Sequence, residues 1–288
     1  MRFDKDTNIL IVGLGVIGGS YAAALTNAGY KVSCITKDRR DIDYALTRKM
    51  ILYGTDSVDP KLVSSSDLII FALYPTVFIE WIEKHQSLFK SGTIITDVTG
   101  VKVNIVEKIQ SILREDVEFI SAHPMAGRER SGVEFSDPNV FLGANYIVTP
   151  TEKNTAHAIE ICKQLGEALG FARISELPPA EHDKMIAFLS QLTHCIAVSL
   201  MTCNSTPDME KYTGDSFRDL TRIAKINDRM WSELFILNKD ALVQEMDSFI
   251  DDFSRFRNML ANEDSEGMRE KMRLSTQKRS LFDKPDRR

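Results

Sequence analysis

Two stretches of the chain carry residue types whose spacing can do chemistry. The first is Gly13-Leu14-Gly15-Val16-Ile17-Gly18-Gly19-Ser20, which follows an apolar run and opens a helical segment, Tyr21 to Ala28. In that setting Gly13 permits a tight turn, Gly15 lets the backbone approach a pyrophosphate, and Gly18 allows a helix to pack closely on a strand. The helix N-terminus offers N–H groups and the positive end of its dipole to the phosphates. The pattern predicts a dinucleotide-binding turn formed by Gly13, Leu14, Gly15, Val16, Ile17 and Gly18, with a merely structural glycine turn as the alternative. The second stretch is Ser121-Ala122-His123-Pro124-Met125-Ala126-Gly127-Arg128-Glu129-Arg130-Ser131-Gly132, at the end of the fifth predicted strand. Ligands of doubly wound sheets bind beyond the C-terminal strand ends, and an imidazole there can accept a hydroxyl proton while hydride leaves the same carbon. Position alone leaves His123 open as either a base or a structural histidine.

The end of the second predicted strand reports on the kind of dinucleotide, because a carboxylate about 20 residues beyond the glycines would bind a ribose 2'-hydroxyl. Thr36 occupies that place, followed by Lys37, Asp38, Arg39 and Arg40. A hydroxyl and the cations Lys37 and Arg39 suit a 2'-phosphate, so NADP is the preferred cofactor over NAD. In the competing reading Asp38 reaches the ribose and the cations are merely solvated.

These residues need a scaffold. Short apolar runs alternate with helix-length amphipathic segments from residue 8 to about 175, the pattern of βαβ units in a parallel sheet. Strands are predicted at Asn8 to Val12, Lys31 to Thr36, Leu68 to Leu73, Thr93 to Val98, Phe119 to Ala122, Tyr146 to Thr149 and Phe171 to Ile174. After Pro178-Pro179 the strand signals stop, and helices are expected at roughly 180–203, 215–226, 229–261 and 266–281. The expectation is an α/β chain with a Rossmann-type doubly wound parallel sheet over 1–175, followed by an all-helical domain over 176–288. Apolar residues recur on the faces of those helices beyond what one small domain needs, which points to a homodimer.

The 288 residues suit two domains, and 43% hydrophobic with 27% charged residues gives ample core material. A net charge of -5 argues against non-specific nucleic-acid binding. Cys34, Cys162, Cys195 and Cys203 lack CxxC spacing and lie in apolar stretches. They read as reduced core residues rather than disulfides or zinc ligands, in a cytoplasmic protein with no metal site. The start lacks an apolar targeting segment, and uninterrupted apolar runs are too short to span a bilayer, so no membrane partner is expected. The segment from Arg269 to Arg288 holds eight Lys or Arg against three acids and reads as a solvated or subunit-packing tail.

The segment HPMAGRERSG at 123–132, with GLGVIGGS at 13–20, DVTGVK at 97–102, Asp219-Leu-Thr-Arg222-Ile-Ala-Lys225, and Met230-Trp231, closely resembles prephenate and arogenate dehydrogenases. The resemblance runs from about residue 7 to 260. It implies oxidative decarboxylation of prephenate to 4-hydroxyphenylpyruvate with hydride transfer to NAD(P), with arogenate as the alternative substrate. His123 would accept the 4-hydroxyl proton. Arg222 would bind a substrate carboxylate and Asp219 would hold its guanidinium, while His194 and Trp231 would line the substrate pocket and Glu129 would stand near its entrance. Many relatives read Asp-x-Gly-Ser-Val-Lys where this chain has Gly100 in the serine's place. The hydroxyl that orients the histidine is then missing, and Thr99 is the candidate to supply it. Rival readings are a related dehydrogenase or imine reductase acting on another small acid, and a non-catalytic dinucleotide sensor. The resemblance ends about where the helical domain should, so no appended ACT domain is expected, and feedback by tyrosine, if present, would act at the active site.

Overall fold

The computed structural model describes residues 2–127 and 130–283. The first strand, β1 (Asn8–Val12), leads into α1 (Val16–Asn27). Then follow β2 (Lys31–Ile35), α2 (Arg39–Thr47), β3 (Tyr53–Thr55), α3 (Pro60–Ser65), β4 (Leu68–Phe71), α4 (Pro75–His85), β5 (Ile94–Asp97), α5 (Val103–Ile112) and β6 (Glu118–Phe119). All six strands run parallel in the order β3-β2-β1-β4-β5-β6. β1, where the order reverses, pairs Ile9 with both Val32 and Leu68. Alternate residues of each strand enter opposite cores. Ile9, Ile11, Leu68 and Ile70 pack with Tyr21, Ala22 and Leu25 of α1. Leu10, Val12, Ile69 and Phe71 pack with Phe78 and Ile82 of α4 and Ile105 and Ile109 of α5. The period of two along strands and of four along helices makes this a sheet covered on both faces, as expected of a doubly wound fold.

The predicted strand from Phe119 to Ala122 is in fact two. β6 ends the parallel sheet, and β7 (Ser121–Pro124) begins a second sheet of order β7-β8-β9 with β8 (Asn145–Thr149) and β9 (Arg173–Glu176). α6 (Ala156–Ala168) joins the last two. β7 is antiparallel to β8, with His123 opposite Ile147, and β8 is parallel to β9. Ile120 makes the corner: its N–H still donates to Ile95 O at 3.0 Å. The edge strand β3 went unpredicted, because three residues with a central Gly54 give no apolar run to read.

The helical half begins with α7 (Pro179–Ile186), passes through one π-type stretch (Ala187–Leu192) and continues as α8 (Thr193–Thr202). By length and composition Pro179–Thr202 is apolar enough to cross a membrane. It carries His182, Asp183 and Gln191, all buried and all hydrogen-bonded within the protein, while Met185, Phe188, Leu189 and Met201 are exposed. α9 (Asp215–Thr221) with a 3-10 turn at Arg222–Ala224, α10 (Asp228–Leu237), α11 (Lys239–Ala261) and α12 (Ser265–Arg279) complete the chain. The helix expected over 229–261 is broken at Asn238, where no glycine or proline announces a stop. The buried Asn238 carboxamide donates to Asp183 O at 2.9 Å and Gln191 Oε1 at 2.7 Å, and these bonds hold the break.

By its contacts the chain divides into two units, Met1–Lys239 and Asp240–Arg288. In the second, Lys271 pairs with Asp252 at 2.6 Å, and Phe249, Ile250, Phe253, Leu260, Met272 and Leu274 are exposed. Two of the four cysteines fit the expectation of core residues: Cys34 and Cys162 are buried, Cys195 is intermediate, and Cys203, at the C-terminal end of α8, is exposed.

The glycines of the first turn differ in what they bear. A Cβ on Gly18 would stand 2.1 Å from Gly13 O, whereas one on Gly15 would meet nothing within 4 Å. Gly18→Ala should therefore lower unfolding free energy by roughly 2–4 kcal/mol, and Gly15→Ala by no more than about 1, measured in denaturant.

Candidate active site

A cavity of about 830 Å³ lies in the Met1–Lys239 unit, beyond the C-terminal ends of β1, β4 and β5. One wall is the glycine turn, with Gly15, Val16, Ile17 and Gly18 lining it. Gly13 lies beneath at φ +96°, and a Cβ there would clash with Ala72 O at 2.4 Å. Leu14 is buried at its side. α1 starts at Gly15 with no side-chain cap and no acid in its first turn, so its N-terminal amides can serve an anion. These features fit the pyrophosphate of a dinucleotide. Thr36, Lys37 and Arg39 follow the end of β2 outside the cavity lining. There the Asp38 carboxylate caps α2 at Arg40 N (2.9 Å) and pairs with the Arg40 guanidinium (2.7 Å). Those bonds hold its pKa down to about 2.

The opposite end of the cavity holds His123, half-buried on β7. Its Nδ1 is 2.9 Å from His182 Nε2, and His182 Nδ1 is 2.7 Å from Asp183 Oδ1. His123 Nε2 faces Gly100, 3.8 Å from where a Cβ on that residue would sit. Burial, with His182 and the Lys102 ammonium nearby, pushes the His123 pKa well below the ordinary histidine value. A neutral imidazole with a lone pair toward a cavity is equipped to take a proton.

β7 is held in place from below. Asp97 and Lys102 are both fully buried, and Lys102 Nζ lies 2.9 Å from Asp97 Oδ2. Lys102 also donates to Ala122 O at 2.7 Å, while Asp97 accepts from Ser121 Oγ at 2.5 Å. The pair therefore staples the end of β5 to the two residues before His123. Thr99 belongs to this staple: its hydroxyl donates to Asp97 and accepts from Lys102 Nζ at 3.3 Å. The expectation that Thr99 orients His123 is corrected accordingly, because its hydroxyl is turned to the carboxylate and the ring's hydrogen-bond partner is His182.

The helical wall contributes Ser190, Gln191, His194, Lys225 and Trp231. His194 Nδ1 donates to Ser190 O at 2.8 Å, and its ring lies 3.8 Å, centroid to centroid, from that of Trp231. Arg222 and Asp219 do not join them. Both are exposed, and the cavity is lined instead by their chain neighbours Ile223, Lys225 and Ile226. Of the glycine-rich loop after His123, Arg130 lines the cavity, while Glu129 lies outside the described residues. The reading of isolated motifs missed His182, Asp183 and Gln191. Their signal was faint: an acid and a histidine adjacent in EHD near a helix start, where solvated ends are the commoner meaning.

Burial also lowers the His182 pKa against the pull of Asp183. With two histidines titrating below their unfolded values, the unfolded chain binds more protons, and stability falls as pH drops below about 6.5. Chemical denaturation between pH 7.5 and 5.5 should show this decline, and His123→Asn should make it shallower.

The model for the nucleotide-binding domain of prephenate dehydrogenase matches residues 21–175, and that for its dimerization domain matches 178–274. The chain is 31% identical over 271 residues to prephenate dehydrogenase of Bacillus subtilis, covering 92% of this chain and 72% of that one. It is 29% identical to cyclohexadienyl dehydrogenase of Zymomonas mobilis, covering 94% of each. Among solved structures, prephenate dehydrogenase from A. aeolicus in complex with hydroxyphenyl propionate and NAD+ superposes with a TM-score of 0.89 at 30% identity, over 98% of this chain and all of that one. Both halves match in order and the likeness spans nearly the whole length, so the chain belongs to the prephenate dehydrogenase family.

Proposed function

We propose that this oxidoreductase converts prephenate to 4-hydroxyphenylpyruvate and carbon dioxide, a step of tyrosine formation, while reducing NAD(P). The observation that carries the reading is that His123, whose Nε2 faces Gly100, lines the same cavity as the glycine turn. Bound dinucleotide supplies the hydride acceptor. His123 takes the 4-hydroxyl proton as the C4–H bond breaks, and the electrons of the departing ring carboxylate complete the aromatic ring. For the substrate carboxylates the proposal names Arg222, the guanidinium assigned by resemblance, and Lys225, which lines the cavity three residues on. His194 and Trp231 form the wall against the ring and Asp219 supports Arg222, while Glu129 keeps the role near the pocket entrance that the resemblance implies.

NADP is proposed as the preferred cofactor. The support is that Asp38 is engaged by Arg40 and the α2 cap, which leaves Thr36 and Lys37, with Arg39 paired to Asp43 at 3.2 Å, as the groups after β2. A homodimer is proposed through the helical half, on the strength of the matched dimerization domain and the exposed Phe249, Ile250 and Phe253 of α11. The division of labour follows the 1–175 and 176–288 boundary. Buried, unpaired Cys34 and Cys162 suit a reducing compartment, and a cytoplasmic location is proposed on that ground.

Steady-state kinetics with prephenate and arogenate against NADP and NAD should give the highest kcat/KM for prephenate with NADP. His123→Asn should lose at least about 10²-fold in kcat with cofactor affinity nearly intact, whereas Arg222→Ala and Lys225→Ala should act mainly on the KM for prephenate. Retained turnover in the histidine variant sinks the assignment of the base. Sedimentation of Phe253→Asp should show monomer where the parent sediments as a dimer; a monomeric parent removes the dimer proposal.

A further inference from the structure

We infer that His182, itself held by Asp183, is the positioning residue that sets the tautomer and aim of His123. The inference rests on the reading of His123 as the base and adds the group that makes it one. Its argument is a count of protons. The Asp183 carboxylate accepts from Lys102 N and Val103 N, each at 2.8 Å, at the start of α5. An ionised carboxylate so placed is an acceptor only, and the amides fix it as it caps the helix. His182 Nδ1, 2.7 Å away, must therefore carry the hydrogen. In a neutral ring its Nε2 is then an acceptor, so His123 Nδ1, 2.9 Å away, must be the donor. That leaves the lone pair on His123 Nε2, the atom on the Gly100 side of the ring, and both residues line the cavity.

The surroundings keep His182 neutral. It is fully buried, and burial together with Lys102 outweighs Asp183 and Asp97, which favour its charged form. The chain of bonds is rigid at its far end, because Asn238 Nδ2 holds Asp183 O at 2.9 Å. On the other side of the His123 ring no hydrogen-bonding side chain among the described residues takes its place. Position 100 is a glycine without a positive φ, so this strand end puts no side chain beside Nε2, and Leu234 borders the place a Cβ there would take. Orientation of the base is therefore delegated to its Nδ1 side. His182 acts as a fixed acceptor: the proton taken at Nε2 is held on His123 until it returns to the phenolate oxygen of the product, and no bond to His182 is made or broken.

Two variants of the full-length protein separate this role from a structural one. In His182→Gln the carboxamide oxygen replaces Nε2 as acceptor from His123, and its nitrogen replaces Nδ1 as donor to Asp183. His182→Leu keeps bulk without either. With prephenate and NADP, His182→Leu should lose on the order of 10²–10⁴-fold in kcat, the scale of loss when a catalytic histidine takes the wrong tautomer, with both KM values within about threefold. His182→Gln should stay within about tenfold of the parent. In ¹⁵N-histidine NMR spectra, His123 should carry its proton on Nδ1 in the parent and in His182→Gln, and lose that preference in His182→Leu. Activity of the leucine variant within threefold of the parent overturns the inference. So does a glutamine variant as impaired as leucine, or a parent protonated at Nε2. The spectra need no substrate, so a parent that fails to turn over prephenate refutes the functional reading while the tautomer is still read. If the leucine variant does not fold, the parent and glutamine spectra decide.

Discussion

The buried pair between Asp97 and Lys102 is the constraint on which the site depends. Two opposite charges removed from water are tolerated only when nearly every donor and acceptor is satisfied, and here they are: Lys102 Nζ has Asp97, Thr99 and Ala122 O, and Asp97 has Lys102, Thr99, Ser121 and the Ala122 amide. Removing one partner of such a pair costs roughly 3–5 kcal/mol, because the other charge is left buried alone. The partners belong to β5, the loop after it and β7. The same bonds that neutralise the charges therefore fix where the parallel sheet ends and where β7, with His123 on it, departs.

A second tie runs from that loop to the helical half. Lys102 and Val103, which open α5, donate their amides to Asp183 of α7. Asp183 then holds His182, and His182 meets His123. The strand-end chemistry and the helix that walls the cavity are thus coupled through one carboxylate, with Gln191 and Asn238 closing the network behind it. The π-type stretch at Ala187–Leu192 lies between Asp183 and His194, where the helix must serve this network on one side and the cavity on the other. Such local widening of a helix is common at functional sites.

The reaction asks for a neutral base near a bound dianion, and the fold supplies the two by different means. Neutrality comes from burial and from the nearby Lys102 and His182. Positive charge comes from elsewhere: the uncapped helix N-terminus at the glycine turn suits the dinucleotide pyrophosphate, and the cations Arg130 and Lys225 lie in the cavity lining. Separating the sources matters, since a cation placed directly on the base would weaken its capacity to hold the proton it accepts.

Local pattern alone determined the alternation of strands and helices over the first half, the glycine turn between β1 and α1, and the all-helical remainder, because each follows from periodicity or from conformational freedom within a few residues. The motif set was specific enough to identify the family. Long-range contacts decided the rest. Nothing local marks the corner at Ile120 or the break at Asn238, whose bonds reach back to Asp183 and Gln191. Thr99 and Gly100 are adjacent in sequence, but only the folded loop shows that the hydroxyl turns to Asp97 while the glycine faces the imidazole. Arg222 and Lys225 stand three residues apart and are both exposed, yet Lys225 belongs to the cavity lining and Arg222 does not. His123 and His182 are 59 residues apart. A side-chain hydrogen bond over that separation leaves no periodic trace, so the pairing of the two imidazoles was settled by tertiary packing.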